Sequence, residues 1–222
     1  MNRPFLIYIG HYGSGKTELA LHEALTAAAQ GQKVALVDLD IVNPFFRSGE
    51  HRELLEGAGV RLIAPLFVGT GVDIPALPAE VQSVFTGRYD LVVLDVGGDP
   101  AGATALGRYH RELTAAKPWV RCVVNTLRPL TTTAEEIVTL VREMEETARL
   151  PVSALLNNTN LANESTAQAL ADGEPVVQAA ADALGVPLEY NVVRQDLLAQ
   201  AQRLCRGPVA AVELHTRLIW DA

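Results

Sequence analysis

The most distinctive stretch of the chain is the octapeptide GHYGSGKT at residues 10–17. It fits the pattern G-x-x-x-x-G-K-[ST], in which backbone N–H groups, a lysine and a hydroxyl converge on phosphate. Its glycines let the backbone curl until successive N–H groups face the same oxygens. Lys16 would then reach the β- and γ-phosphates of a nucleotide, and the Thr17 hydroxyl would bind Mg²⁺. We expect nucleotide contacts from Gly10, His11, Tyr12, Gly13, Ser14, Gly15, Lys16, Thr17 and Glu18.

The sequence on either side of this octapeptide supports the phosphate-binding interpretation. A short apolar run at residues 5–9 predicts a strand, and apolar residues at helical spacing predict a helix that begins near Lys16. The helix N-terminus would add the positive end of its dipole to the phosphate site. A chance glycine-rich turn rarely has this context on both sides.

A second candidate lies in LVVLDVGG, residues 91–98. Asp95 ends an apolar run, as does the carboxylate that holds Mg²⁺ in phosphate-loop proteins. The Gly98 N–H could bond a γ-phosphate, and the loop after it would then become ordered with the nucleotide. The alternative is an aspartate that begins an ordinary turn. Beside a phosphate loop we favour a metal role for Asp95 and a nucleotide contact for Gly98.

A third candidate is the pair Asp38 and Asp40, which follows another apolar run. Side chains two residues apart in a strand point to the same face. We expect Asp38 to orient Mg²⁺-bound water and Asp40 to position or deprotonate the attacking water, because Asp40 lies farther from the sheet. The alternative for Asp40 is a residue that caps or solvates the loop.

A fourth candidate is the end of LLNNTN, residues 155–160. An asparagine amide offers a donor and an acceptor that match N6 and N7 of adenine, so Asn157 and Asn158 are candidate base contacts. The guanine-reading pattern N-K-x-D would place an aspartate at Asn160, and both its lysine and its aspartate are absent. The sequence therefore favours ATP over GTP, with an asparagine-rich turn as the alternative.

The composition limits the partners. A net charge of -8 and only three lysines argue against sequence-independent nucleic-acid binding through a basic face. No apolar run approaches the roughly 20 residues of a membrane helix, and the N-terminus lacks a signal-peptide layout. Cys122 lies in an apolar run and is expected to be a buried, inert thiol. We expect a cytoplasmic protein with no nucleic-acid and no membrane partner.

Arg47, Arg108 and Arg128 could face the site, but solvated surface positions are the default expectation.

Strand and helix patterns alternate along the chain and predict one domain, residues 1–222, with an α/β, mostly parallel, doubly wound sheet and helices on both faces. In such sheets ligands lie beyond the carboxyl ends of the strands, where the four candidate groups stand. The expectations for the second half are a helix over 101–115, a capping box of Thr132 and Glu135, a helix over 175–184, a last strand over 187–192, two short terminal helices and internal packing of 208–222.

Together, GHYGSGKT, VDLD, LVVLDVGGD and LLNN resemble the MinD/ParA/CobQ-like group of P-loop ATPases. The resemblance implies a sheet of seven or eight strands, Mg²⁺-ATP as cofactor, slow ATP hydrolysis and an ATP-dependent face-to-face homodimer. By motif match, Lys16 and Thr17 take the phosphate-loop roles, Asp40 positions water, Asp95 holds the metal, and Asn157 reads adenine. One position departs from the family, because His11 stands where its motif carries an extra lysine that reaches the phosphates of the dimer partner.

Three functions are compatible with these residues. The first is a Mg²⁺-dependent ATPase whose loops report the nucleotide state to an unidentified partner. The second is an ATP-dependent small-molecule kinase or ligase of the dethiobiotin-synthetase-like type, with residues 64–78 helping to hold the acceptor. The third is a regulatory nucleotide-binding module that does not hydrolyse ATP.

Overall fold

Eight parallel strands form one sheet in the computed structural model, which describes residues 4–40, 51–64, 79–98 and 100–215. Every neighbouring pair is parallel, and the spatial order is β3-β2-β4-β1-β5-β6-β7-β8. The strands are β1 (Phe5–Ile9), β2 (Val34–Asp38), β3 (Arg61–Ile63), β4 (Leu91–Asp95), β5 (Trp119–Val124), β6 (Ala154–Asn157), β7 (Leu188–Arg194) and β8 (Val209–Val212).

Helices connect the strands and cover the sheet. The α-helices in the described ranges are α1 (Lys16–Ala29), α2 (Arg52–Gly57), α3 (Ser83–Thr86), α4 (Pro100–Gly107), α5 (His110–Ala116), α6 (Ala134–Ala148), α7 (Ala167–Leu184) and α8 (Leu198–Leu204). Short 3-10 turns lie at Ala79–Gln82, Ala162–Glu164 and Gln195–Leu197. The predicted α/β architecture with a parallel sheet is confirmed.

The core lies on both faces of the sheet, which is why the strands are continuous apolar runs rather than alternating ones. On one face Leu21 of α1 packs in a buried cluster with Leu36 of β2. On the other face Ile137 of α6 and Val177 of α7 pack in a cluster with Ile7 of β1. The central strands are thereby fixed from both sides.

The strand order places the octapeptide at the centre of one edge. Strands β2 to β4 lie on one side of β1, and β5 to β8 lie on the other. The loop after β1 therefore stands where the order reverses, which is the usual ligand crevice of an open parallel sheet. The ends of β2, β4 and β6 open at the same edge.

The predicted capping box is wrong by one residue. The Thr133 hydroxyl accepts from the Glu136 backbone N–H at 3.3 Å, and Glu136 Oε2 accepts from the Thr133 N–H at 3.3 Å. The same carboxylate also binds the backbone N–H and hydroxyl of Thr132, at 2.8 and 2.7 Å. A run of three threonines followed by two glutamates admits both registers, and the backbone geometry selects the later one.

The predicted helix over 175–184 is longer than expected and begins at Ala167. Thr166 caps it, because its hydroxyl accepts from the Ala169 N–H at 3.1 Å. The helix continues through Pro175 although an interior proline costs about 3 kcal/mol. Buried residues on both sides of the proline, among them Leu170 and Val177, oppose that cost by packing on the core.

Three other expectations for the second half are corrected. The helix over 101–115 is two helices with a turn after Gly107, where α4 passes so close to α6 that a Cβ would lie 3.0 Å from the Thr147 carbonyl oxygen. The strand over 187–192 runs to Arg194 and is not the last one. Residues Val209–Val212, which were expected to lie beyond the last strand, form an eighth strand, β8, which pairs with β7.

Some predictions fall outside the described residues. These are the loop at 41–47 with Arg47, the start of the helix near residue 48, residues 65–78 of the proposed acceptor segment, and residues 216–222 of the C-terminal segment. Within the described ranges, no helix combines the length and the apolarity needed to span a membrane. Cys122 is fully buried as expected, and burial raises the pKa of its thiol to about 12.

Candidate functional site

A cleft of about 400 Å³ opens at the carboxyl edge of the sheet. Its lining includes residues of the octapeptide and the start of α1, of the loop after β6, and of the ends of β7 and β8. The residues that line it include Lys16, Thr17, Asp40, Gly98, Arg128 and Asn158.

The octapeptide forms a tight curl around its own lysine. Lys16 Nζ donates to the His11 carbonyl oxygen at 3.0 Å, and the Ser14 backbone N–H donates to the same oxygen at 3.2 Å. Gly15 precedes the first residue of α1 with φ 91, in the left-handed region that favours glycine. The curl thus places the ammonium group at the N-terminus of α1, on the cleft.

Two buried polar atoms of the curl have no hydrogen-bond partner within the described parts of the chain. They are Nδ1 of His11 and Oγ of Ser14. Buried polar atoms in native proteins are nearly always paired with protein, water or ligand. The curl therefore offers hydrogen-bonding capacity that the described residues do not use.

Two carboxylates stand side by side next to the curl. Asp38 ends β2, Asp95 ends β4, and the two residues are register partners in the parallel pair. Each is only 1% exposed. Asp38 Oδ1 accepts from the Asp40 backbone N–H at 2.9 Å, which fixes the start of the loop after β2. The structure thus brings Asp38 and Asp95 together and leaves half-buried Asp40 on the cleft.

The loop after β4 contacts both the octapeptide and Asp40. A Cβ placed on Gly98 would lie 2.6 Å from the Tyr12 backbone nitrogen, so this loop touches the octapeptide backbone directly. A Cβ placed on Gly97 would lie 3.2 Å from Asp40 Oδ1. The loop after β4 therefore contacts both the loop after β1 and the loop after β2.

The two asparagines at the end of β6 have different surroundings. Asn158 lines the cleft, and its Nδ2 donates to the Ser14 carbonyl oxygen at 2.7 Å. Asn157 does not line the cleft: its Nδ2 donates to the Leu170 carbonyl oxygen at 2.9 Å and to Asn191 Oδ1 at 2.7 Å. Its Oδ1 accepts from Thr159 Oγ1 at 2.7 Å. Both amide hydrogens of Asn157 are used inside the protein, so its geometry does not support contact with a base.

Two positioning features were not predicted. Asn125, which follows β5, donates to the Asn160 carbonyl oxygen at 2.9 Å and accepts from the Leu127 N–H at 3.1 Å, so it ties the loops after β5 and β6 together. Glu18 accepts a hydrogen bond from the His215 backbone N–H, beyond β8. Asn125 follows an apolar run, and the strand-end rule that identified the other candidates would have found it.

Solved structures show the same fold, although no protein-family model and no curated protein matches the chain. FtsY from Thermotoga maritima is 21% identical with a TM-score of 0.56, over 86% of this chain and 62% of that one. The signal recognition particle 54 kDa protein from Aeropyrum pernix K1, in complex with GDP, is 19% identical with a TM-score of 0.55, over 85% and 41%. A nucleotide-binding protein from Archaeoglobus fulgidus, in complex with ADP and with Co, is 19% identical with a TM-score of 0.52, over 90% and 86%.

These similarities show a shared P-loop NTPase fold. The chain spans about two fifths of the length of the Aeropyrum pernix protein and about three fifths of the length of the Thermotoga maritima protein. The resemblance to the MinD/ParA/CobQ-like group stays a prediction.

Proposed function

We propose that this chain binds Mg²⁺-ATP, hydrolyses it slowly, and acts in the cytoplasm as a nucleotide-dependent switch for a protein partner or a second copy of itself. The observation that carries the proposal is the curl of residues 10–17, which holds the Lys16 ammonium at the N-terminus of α1 on a cleft large enough for a small ligand. Such a curl is built to surround phosphate oxygens.

The unused polar atoms of the curl support phosphate binding. A phosphate oxygen would accept a hydrogen bond from Ser14 Oγ, and it would compete with the His11 carbonyl for the Lys16 ammonium. His11 Nδ1 could donate to the same group in the appropriate tautomer. A bound nucleotide would thereby satisfy the atoms that the protein leaves unpaired.

The donor set beside the curl suits Mg²⁺. Thr17 and the paired carboxylates Asp38 and Asp95 provide hard oxygen ligands, which Mg²⁺ prefers, either directly or through water. When bound, the ion would neutralise phosphate charge.

Asp40 is our candidate for positioning the attacking water. It is half-buried, lines the cleft and lies beside Gly97. A carboxylate there could accept a hydrogen bond from water, or its proton. Because Gly98 touches the Tyr12 backbone, a change in the phosphates would reach the loops after β2 and β4, which is what a switch requires.

For the base we propose that Asn158 takes the role predicted for Asn157. Asn158 lines the cleft and is bonded to the octapeptide through its Nδ2, so its side-chain oxygen could accept from an exocyclic amine. ATP is favoured because Asn160 replaces the aspartate that would read guanine. The small-molecule kinase alternative depends on residues 64–78, most of which lie outside the described residues, and no feature of the described ranges favours it.

The test is nucleotide binding and turnover by the purified chain. Fluorescent ATP and GTP analogues and a phosphate-release assay with and without Mg²⁺ would be applied to the wild type, to Lys16→Ala and to the control Lys117→Ala, an exposed lysine after α5. We expect the wild type to bind ATP more tightly than GTP and to release phosphate only with Mg²⁺. Lys16→Ala should lose both binding and phosphate release, and Lys117→Ala should keep both. A wild type that binds neither nucleotide would refute the proposal, and binding without turnover would select the non-hydrolysing module. Turnover that rises with one member of a metabolite panel would select the kinase.

A further inference from the structure

Arg128 lies against the phosphate-binding curl. A Cβ placed on Gly13 would lie 3.2 Å from Arg128 Nε and 3.5 Å from its Cζ, so the guanidinium group packs directly on the backbone of residue 13. Arg128 also lines the same cleft as Lys16 and Asp40. Its side chain therefore reaches the phosphate end of the cleft from a different strand, β5.

The backbone of Arg128 belongs to a turn that is stabilised by hydrogen bonds. The Arg128 N–H donates to the Asn125 carbonyl oxygen at 3.1 Å, and the Thr131 N–H donates to the Arg128 carbonyl oxygen at 3.3 Å. The buried Thr131 hydroxyl donates to the Asn125 carbonyl oxygen at 2.7 Å. These bonds tie the backbone of Arg128 to the end of β5.

The charge of Arg128 is uncompensated within the described residues. No carboxylate there lies within ion-pair distance of it, whereas Arg121 is paired with Glu189 at 2.7 Å and Arg194 with Asp196 at 2.6 Å. A planar guanidinium group matches the oxygens of a phosphate and binds them through two parallel N–H bonds. A nucleotide in the cleft would supply the negative charge that the protein does not.

We propose that Arg128 is a catalytic residue that contacts the terminal phosphates of the bound nucleoside triphosphate in cis. This inference rests on the proposed function. In the reaction, the oxygen of a water molecule bonds to the γ-phosphorus, and the bond from that phosphorus to the β–γ bridging oxygen breaks. The electron pair of that bond stays on the nucleoside diphosphate, and the proton that the water loses passes to the Asp40 carboxylate on the same cleft. Arg128 stabilises the negative charge that develops on the phosphate oxygens, the role of an arginine supplied by the same chain.

The test compares Arg128→Ala, Arg128→Lys and the control Arg142→Ala, an exposed arginine in the middle of α6. For each, the phosphate-release rate and the dissociation constants of ADP and a non-hydrolysable ATP analogue are measured. We expect Arg128→Ala to lower kcat by about 10²- to 10³-fold, the effect of losing one such donor. ADP affinity should change little, and the preference for the triphosphate analogue over ADP should shrink. Arg128→Lys keeps the charge but not the planar guanidinium group, so its kcat should lie between those of the wild type and Arg128→Ala. Arg142→Ala should match the wild type in kcat and in both dissociation constants.

The outcomes separate this inference from the proposed function. A wild type that binds no nucleotide refutes both. A wild type that binds and hydrolyses ATP, with Arg128→Ala equal to it in kcat and in triphosphate preference, refutes the role of Arg128 alone. If the wild type binds without hydrolysis, the triphosphate preference decides, because a contact to the γ-phosphate must be lost in Arg128→Ala whether or not turnover follows.

Discussion

The side-chain amide of Asn158 donates a 2.7 Å hydrogen bond to the backbone carbonyl of Ser14, 144 residues earlier in the chain. This bond joins the end of β6 to the curl of residues 10–17, which follows β1, across the intervening strand β5. It also explains why residue 15 is a glycine, since a Cβ there would clash with the Asn158 amide nitrogen. The shape of the curl therefore depends on a side chain from the other half of the sheet.

We expect Asn158→Ala to weaken nucleotide binding about tenfold, because one such hydrogen bond contributes about 1–1.5 kcal/mol. The free energy of unfolding should change less than the binding free energy does. Titration of a fluorescent nucleotide, together with urea unfolding of the same sample, measures both quantities.

Asn157→Ala should show the reverse. Removal of the Asn157 side-chain amide breaks its hydrogen bonds to the Leu170 carbonyl oxygen, Asn191 and Thr159. We therefore expect a loss of about 1–3 kcal/mol in unfolding free energy. Nucleotide affinity of the folded fraction should be nearly unchanged. Equal effects of the two substitutions on affinity would contradict the distinction between them.

The sequence could identify this edge of the sheet but not which asparagine faces the cleft. GHYGSGKT and the apolar runs before Asp38 and Asp95 are local signals, and parallel strands bring their ends to one edge. The choice between Asn157 and Asn158 depends on the rotation of β6 about its axis. Because β6 is buried on both faces, its residues do not alternate between polar and apolar, and no sequence pattern reveals the rotation.

Strand β8 was missed for a different physical reason. Its residues Val209–Val212 include two alanines, which have weak strand preference and strong helix preference. The segment is a strand because it pairs with β7, a contact set by tertiary structure. The position of Arg128 was missed similarly, since it depends on the turn that Asn125 and Thr131 build and on the spatial neighbour Gly13.

Asp40→Asn should separate turnover from binding. The amide keeps the size of the side chain but removes its negative charge, so it can neither accept a proton nor orient water as well. We expect kcat to fall by about 10²-fold, at the lower end for a positioned acid or base, while ATP affinity is retained. Asp172→Asn, an exposed position on α7, is the control. Unchanged turnover in Asp40→Asn would return Asp40 to the role of a loop cap.

The stability of the C-terminal segment should depend on pH through His22. Its ring stacks on that of His215 with centroids 6.3 Å apart, and its Nδ1 accepts from the Glu213 N–H at 3.3 Å. Burial, followed by the charge of His215, lowers the pKa of His22 in the folded chain, while Glu23, Glu213 and Glu18 oppose that shift. The unfolded chain then binds the proton more readily, so this stabilisation is complete above about pH 6.5 and is lost as the pH falls through the folded pKa.

Thermal unfolding between pH 5 and pH 8 checks this expectation. His22→Gln keeps an acceptor for the Glu213 N–H but cannot be protonated, so the part of the pH dependence that belongs to His22 should disappear. His110→Gln, on α5, is the matched control and should keep the wild-type profile. A profile for His22→Gln that runs parallel to the wild type would contradict the assignment.

Gly98→Ala tests the contact between the loop after β4 and the curl of residues 10–17. The added Cβ would lie 2.6 Å from the Tyr12 nitrogen and 2.8 Å from its Cα, and backbone atoms cannot swing aside as a side-chain tip can. We expect a loss of about 1–3 kcal/mol in unfolding free energy, the usual cost of overpacking, together with weaker binding of ATP.

Gly57→Ala is the matched control for Gly98→Ala, because a Cβ at Gly57 meets nothing within 4 Å. Gly57 ends α2, where alanine should be neutral or stabilise by up to about 1 kcal/mol. Urea unfolding and nucleotide titration of both variants give the comparison. If Gly98→Ala and Gly57→Ala were equally stable and bound ATP equally well, the loop after β4 and the curl of residues 10–17 could not be in contact in solution. The loss of a γ-phosphate would then have to affect the loop after β4 through the contact between Asp40 and Gly97 instead.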